Sequence, residues 1–274
     1  MIILFLLLSL LGTAGFSLLI PADLPYGTLP LLLGCLIGGW VLLSLDGRGP
    51  DALGFYLSPA AGREGLLGLG LGILVAGSVV LCMFVIGALR WSADAGGISD
   101  YLLEAGKALW LFTFPAAAEE AFMRGYLFQA LAEAMGGAWA LWITSAVFGA
   151  LHLGNPNTTW IGLANILMAG LFLGVIYLKT ASLWWATGAH LGWNWTHGFL
   201  SDLPVSGLEL VDTPLLDPVI GGSELFSGGS FGPEGSVLST LVLATVTLVV
   251  WRSSWIRPGD RAIESRPLFL PGEP

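Results

Sequence analysis

Residues 103–133 read LEAGKALWLFTFPAAAEEAFMRGYLFQALAE. Apart from Glu119, Glu120 and Arg124, the charged residues of this stretch (Glu104, Lys107 and Glu133) lie near its ends. The interior reads as a helix meant for an apolar medium. It is longer than the roughly 20 residues that one straight membrane crossing takes. Pro115 removes a backbone donor and clashes with the preceding turn. A kink at Pro115, or a tilted helix emerging from the membrane, is therefore expected.

The rest of the chain agrees with that reading. Of 274 residues, 55% are hydrophobic and only 11% are charged, with a mean hydropathy of +0.81. An ordinary soluble domain carries about 25% charge. A chain so poor in charge lacks a soluble surface, and a bilayer supplies the alternative solvent. The 12 Trp residues suit the membrane interface. Seven further apolar segments join the first: residues 2–20, 28–45, 65–89, 138–153, 160–178, 182–200 and 236–251. The expected fold is all-α, a polytopic transmembrane helical bundle of about eight spans. Residues 2–20 read as a first span and not as a signal peptide, because no basic residue precedes the apolar run.

Eight spans place both termini on one side. Arg48, Arg63, Lys179, Arg252, Arg257, Arg261 and Arg266 then share that side, and only Arg90 and Lys107 lie on the other. The asymmetry predicts a multi-pass cell-membrane protein with both termini cytoplasmic. The long acidic, Gly-rich loop 201–235 would be a flexible extracytoplasmic segment. The Pro- and Arg-rich tail after Arg252 is expected to be disordered. A net charge of −9 offers no basic patch for nucleic acid. Cys35 and Cys82 sit in apolar runs and predict no disulfide framework. The expected partners are membrane lipids and a peptide or membrane-protein substrate, with no nucleic acid.

Polar residues inside apolar helices are costly and mark functional candidates. In a helix each residue turns about 100°. Glu120 and Arg124 are four apart on one face, in the favourable order for an ion pair. Glu119 is turned roughly 140° from Arg124 and stays unpaired within its own helix. A carboxylate left without a partner in apolar surroundings suits a general base or acid. Phe148 lies one turn before His152 and can shield its ring. His190 and Asn194 are one turn apart and project the same way. His197 extends that stripe and reads as a solvated helix-end histidine. Each cluster alone has a plain structural reading as an ion pair or interhelical hydrogen bond. Together, one carboxylate, two imidazoles and an amide can activate water and stabilise an oxyanion.

The three motifs, Glu119-Glu120-x-x-x-Arg124, Phe148-x-x-x-His152 and His190-x-x-x-Asn194, resemble in this order the CAAX prenyl protease and bacteriocin-processing (CPBP, or Abi) family of intramembrane proteases. Arg124-Gly125 and the turn at Lys179–Leu183 add to the likeness, which spans about residues 103–200. The resemblance implies an active site within the membrane. It implies Glu119 and His152 as the pair that activates water, with His190 and Asn194 stabilising the oxyanion. Glu120, Arg124 and Phe148 would support the architecture. It divides the chain into N-terminal helices (1–102), a catalytic core (103–200), and a final part holding the acidic loop, last span and tail (201–274). The implied function is glutamate-dependent intramembrane endopeptidase activity on a membrane-associated or lipidated peptide. The alternative is a non-catalytic scaffold or peptide-binding, immunity-type protein that retains the fold. No cofactor is favoured. A divalent metal such as Zn²⁺ would have Glu119, His152 and His190 as its ligands. The Asn fits an oxyanion role better than a ligand role.

Overall fold

The computed structural model describes residues 1–21, 26–269 and 271. The fold is an all-α helical membrane protein. Its helices are α1 (Ile2–Ser17), α2 (Leu29–Leu45), α3 (Pro59–Val85), α4 (Ile98–Arg124), α5 (Tyr126–Met135), α6 (Gly137–Leu151), α7 (Trp160–Thr180), α8 (Leu183–Trp195), α9 (Glu224–Ser227), α10 (Val237–Arg252) and α11 (Asp260–Glu264). Among the described residues, three helical stretches are long and apolar enough to cross a membrane: Tyr26–Leu45, Pro59–Val85 and Trp160–Thr180. The helices Ile2–Ser17, Gly137–Leu151 and Val237–Arg252 are apolar but shorter. Exposed leucines and isoleucines, among them Leu10, Leu11, Leu66, Leu74 and Leu241, lie on the outside of the bundle, where lipid can cover them.

Local chemistry sets the helix boundaries. The hydroxyls of Thr159, Ser182 and Ser236 accept from Gly162, Trp185 and Ser239 at the starts of α7, α8 and α10. The long apolar stretch breaks at Gly125, whose φ of −66° and ψ of −125° is not helical. Pro115 lies inside α4, which continues as a helix past it. Gly125 offers the freer backbone, and a side chain there would strike the carbonyl of Ala121.

Helices α3 and α8 pack backbone against backbone. A Cβ at Gly68 or Gly72 would fall onto the carbonyl of Trp185 or Ala189, and one at Gly188 or Gly192 onto that of Gly65 or Leu69. Four glycines therefore let two backbones touch, the small-residue packing that membrane helices favour. This pairing presses α8 against the N-terminal third of the chain.

Connections gather at two ends. At one, residues 89–93 (β1) and 216–220 (β2) pair antiparallel, Leu89 opposite Ile220. The 201–235 loop belongs to this end and is built, with Phe231, Pro233, Glu234 and Ser227 buried. It is not the flexible segment its composition suggested, because its polar groups bond to the helices below it. Asn165 of α7 donates to the carbonyls of Glu234 (2.7 Å) and Ser236 (2.8 Å). At the other end the tail is ordered through Phe269. Ala262 and Ile256 are buried, Arg48 donates to the carbonyl of Pro267 at 2.8 Å, and Leu268 N–H donates to Gln129 at 2.9 Å. The composition of the tail suggested disorder, and these tertiary anchors overturn it.

Candidate functional site

The last turn of α4 holds two carboxylates with different surroundings. Glu120 and Arg124 have side chains 0% exposed and bond at 2.9 Å. Arg124 also donates to the carbonyl of Gly170 at 2.9 Å, and its guanidinium lies 4.9 Å from the centre of the Phe148 ring. The buried charge is thereby met by a carboxylate, a carbonyl and a π face. The Glu119 side chain is 34% exposed, and its partner among the described residues is His190, at 3.7 Å.

His190 sits between the two. Its Nδ1 lies 2.9 Å from Glu120 Oε1, and its Nε2 faces Glu119 Oε2. A carboxylate can only accept, so Nδ1 carries a proton and donates. This bond from His190 to Glu120 was not foreseen in the sequence, where Glu120 was assigned to Arg124 alone. At His152, Nδ1 lies 2.8 Å from the carbonyl oxygen of Phe148. A carbonyl accepts as well, so Nδ1 holds the proton and Nε2 keeps its lone pair. Phe148 joins the parts: its ring centre is 4.9 Å from that of His152 and 5.9 Å from that of His190.

Glu119, His152, His190 and Asn194 all line one cavity of about 540 Å³. Most of its wall is apolar, with Leu31, Phe122, Leu151, Phe172 and Leu173 contributing. Asn194 is buried and lines the cavity. Glu120, Arg124 and Gly170 lie behind this wall.

The cavity also holds residues that the sequence did not single out. Glu234 is 6% exposed, and it accepts from Trp193 Nε1 at 2.6 Å and from Ser206 N–H and Oγ at 2.5 and 2.7 Å. Its position in an acidic loop concealed it among solvated neighbours. Asn155 donates to the carbonyl of Ser206 at 2.9 Å and lines the same space. His197, expected to be solvated, is fully buried. It lies in a π-helical turn over residues 196–200, with its ring 4.6 Å from that of Trp193, and it does not line the cavity. The wider π turn draws the chain back into the bundle.

As possible metal ligands, Glu119, His152 and His190 do not bring three donor atoms within 4.8 Å of one another. Among the described residues, Asp202, Asp212 and Asp217 in the loop do so. The donor set of the cavity as it stands does not form a closed cation site.

Residues 102–196 match the model of the family described as type II CAAX prenyl endopeptidase Rce1-like. The match contains all three motifs and ends two residues past Asn194. Comparison with curated proteins and with solved structures finds no match. Over residues 102–196 the chain is therefore similar to the Rce1-like family, in agreement with the CPBP resemblance of its three motifs.

Proposed function

We propose that this chain is an intramembrane endopeptidase that uses Glu119 to hydrolyse a peptide bond. The carrying observation is that one apolar cavity is lined by a partly exposed carboxylate, two imidazoles and an amide. The His152 ring, with its proton on Nδ1, offers Nε2 to hydrogen-bond a water, and Glu119 accepts a proton from that water. The water oxygen forms a bond to the peptide carbon while the carbonyl becomes an oxyanion. The Asn194 amide and His190 Nε2–H donate to that oxyanion. For Nε2 to donate, the ring carries both protons, and Glu120 accepts the one on Nδ1. Collapse breaks the C–N bond. The proton held by Glu119 passes to the leaving nitrogen, which regenerates the carboxylate.

Glu120 and Arg124 act behind the wall. Their bond fixes the last turn of α4, and the bond from Glu120 to His190 fixes α8 against it. Eight crossings with the termini at the basic end agree with the clustering of basic residues there. The apolar wall suits a substrate with apolar side chains around the scissile bond.

The test is cleavage of a library of membrane-anchored peptides by the purified protein and by Glu119→Gln. The expected result is cleavage by the wild type and its loss in the variant, with both equally folded. Equal cleavage by the two, or none by either, overturns the reading.

A further inference from the structure

Every loop residue that lines the catalytic cavity belongs to one end of the bundle. Thr28 precedes α2, Asn155 follows α6, Val205, Ser206, Leu208 and Leu210 come from the long loop, and Glu234 closes that loop. None of the lining residues comes from the connections at the other end, 46–58, 125–136, 181–182 or 253–269. The loop forms a roof, and Glu234 joins it to Trp193, the residue before Asn194 on α8.

The other end is closed. Fully buried Gln129 donates to the carbonyl of Ala52 at 2.7 Å and to Tyr177 Oη at 2.9 Å, and it accepts from Leu268 N–H. Tyr177 Oη donates to the carbonyl of Leu53 at 3.1 Å. The Phe269 ring lies 5.8 Å from that of Phe128 and 5.7 Å from that of Tyr177. Four segments far apart in sequence, around Ala52, Gln129, Tyr177 and Leu268, meet in one hydrogen-bonded layer at that end.

The closed end is also the basic end. Lys179 donates to the carbonyl of Ser253, Arg261 pairs with Asp51 at 3.3 Å, and Arg48 reaches the tail. Arg63, Arg252, Arg257 and Arg266 complete the seven basic residues there, while the roof end has Arg90 and Lys107. Such a bias places the closed end in the cytoplasm.

From these two asymmetries we infer that the site is reached from the extracytoplasmic side, beneath the 201–235 roof. Its substrates are membrane-anchored or exported polypeptides that present an apolar scissile segment at the outer face, and not cytoplasmic chain ends. The inference rests on the protease reading above for its substrate class, and on geometry alone for its sidedness.

Two measurements test it in the full-length protein. In the first, Leu208→Cys on the roof and Ser254→Cys at the closed end are introduced singly with Cys35 and Cys82 replaced by alanine. Intact cells are then treated with a membrane-impermeant maleimide. Leu208→Cys should label in intact cells and Ser254→Cys only after permeabilisation; the reverse pattern overturns the inference. Both positions are exposed, so the variants test access and not folding. In the second, single-pass reporter proteins are randomised in the segment flanking their spanning helix, on the outer or the cytoplasmic side. They are co-expressed with wild type or Glu119→Gln. Loss of cleavage in the variant for the outer library supports the inference. Glu119-dependent cleavage confined to the cytoplasmic library overturns it and leaves the protease reading standing. No Glu119-dependent cleavage in either library overturns the protease reading, and the substrate class with it.

Discussion

Glu119 and Glu120 are neighbours on one helix, and the bundle treats them in opposite ways. Glu120 is sealed behind the cavity wall and accepts from Arg124 and His190 through the same oxygen. Glu119 faces the cavity with a third of its side chain exposed and one imidazole 3.7 Å away. Under the proposed mechanism, the difference separates a holding carboxylate from a reacting one. Binding one to two buried donors makes it structure, since removing it strands a buried cation. Leaving the other short of donors keeps its lone pairs for a water or substrate proton.

The largest expected effect breaks the comparison on the cavity side. Glu119→Gln should lower peptide cleavage by about 10³-fold, in the range of a lost general base, while leaving the unfolding midpoint in detergent unchanged. A variant that cleaves normally would make the two glutamates equivalent and end the distinction. On the sealed side, Glu120→Ala should cost about 3 kcal/mol of stability, because Arg124 and His190 both lose their carboxylate. Thermal unfolding of the two variants side by side checks this, and equal midpoints would contradict the division of roles.

A smaller effect sharpens the comparison through α8. Gly188→Val places a branched side chain against the backbone of Gly65 and should push α8 outwards. A loss of ~2 kcal/mol is expected from overpacking, together with reduced activity as His190 moves from both carboxylates. If stability falls and activity does not, the position of His190 matters less than its bond to Glu120 suggests.

The smallest effect concerns a third carboxylate between these extremes. Asp202 in the roof loop accepts from Thr213 N–H at 3.1 Å. Partial burial, with Asp212, Asp217 and Asp94 nearby, pushes its pKa up to about 6 from 3.8. A folded value above the unfolded one means that the folded loop holds the proton more tightly. Its stabilisation is therefore complete at low pH, weakens as pH rises from about 4, and is gone above about 6. Hydrogen exchange around residues 202–213, corrected for intrinsic rate, should be slower at pH 5 than at pH 8. Asp202→Asn should remove the difference.

Much of this was legible in the sequence because it rests on short-range regularity. Apolar content required helices in a bilayer, since unpaired backbone groups are not tolerated there. A spacing of four put Glu120 opposite Arg124, Phe148 beside His152 and His190 in line with Asn194, as helical geometry demands. The three motifs in order were enough to point to the family that residues 102–196 match.

Tertiary structure decided what joins distant parts. His190 meets Glu120 across 70 residues of chain, Trp193 meets Glu234 across 41, and Leu268 meets Gln129 across 139. Glu234 and the tail looked like solvated, mobile sequence, and His197 like a helix end, because composition reports only the average surroundings of a residue type. Packing overrides that average wherever a particular donor is already in place. Gly68, Gly72, Gly188 and Gly192 read as scattered small residues until two helices close on them and bring α8 to the carboxylates of α4. Local periodicity therefore determined which residues share a helix face. Which faces meet was decided by the fit of the whole bundle, because only there are buried polar groups satisfied by partners far away in the chain.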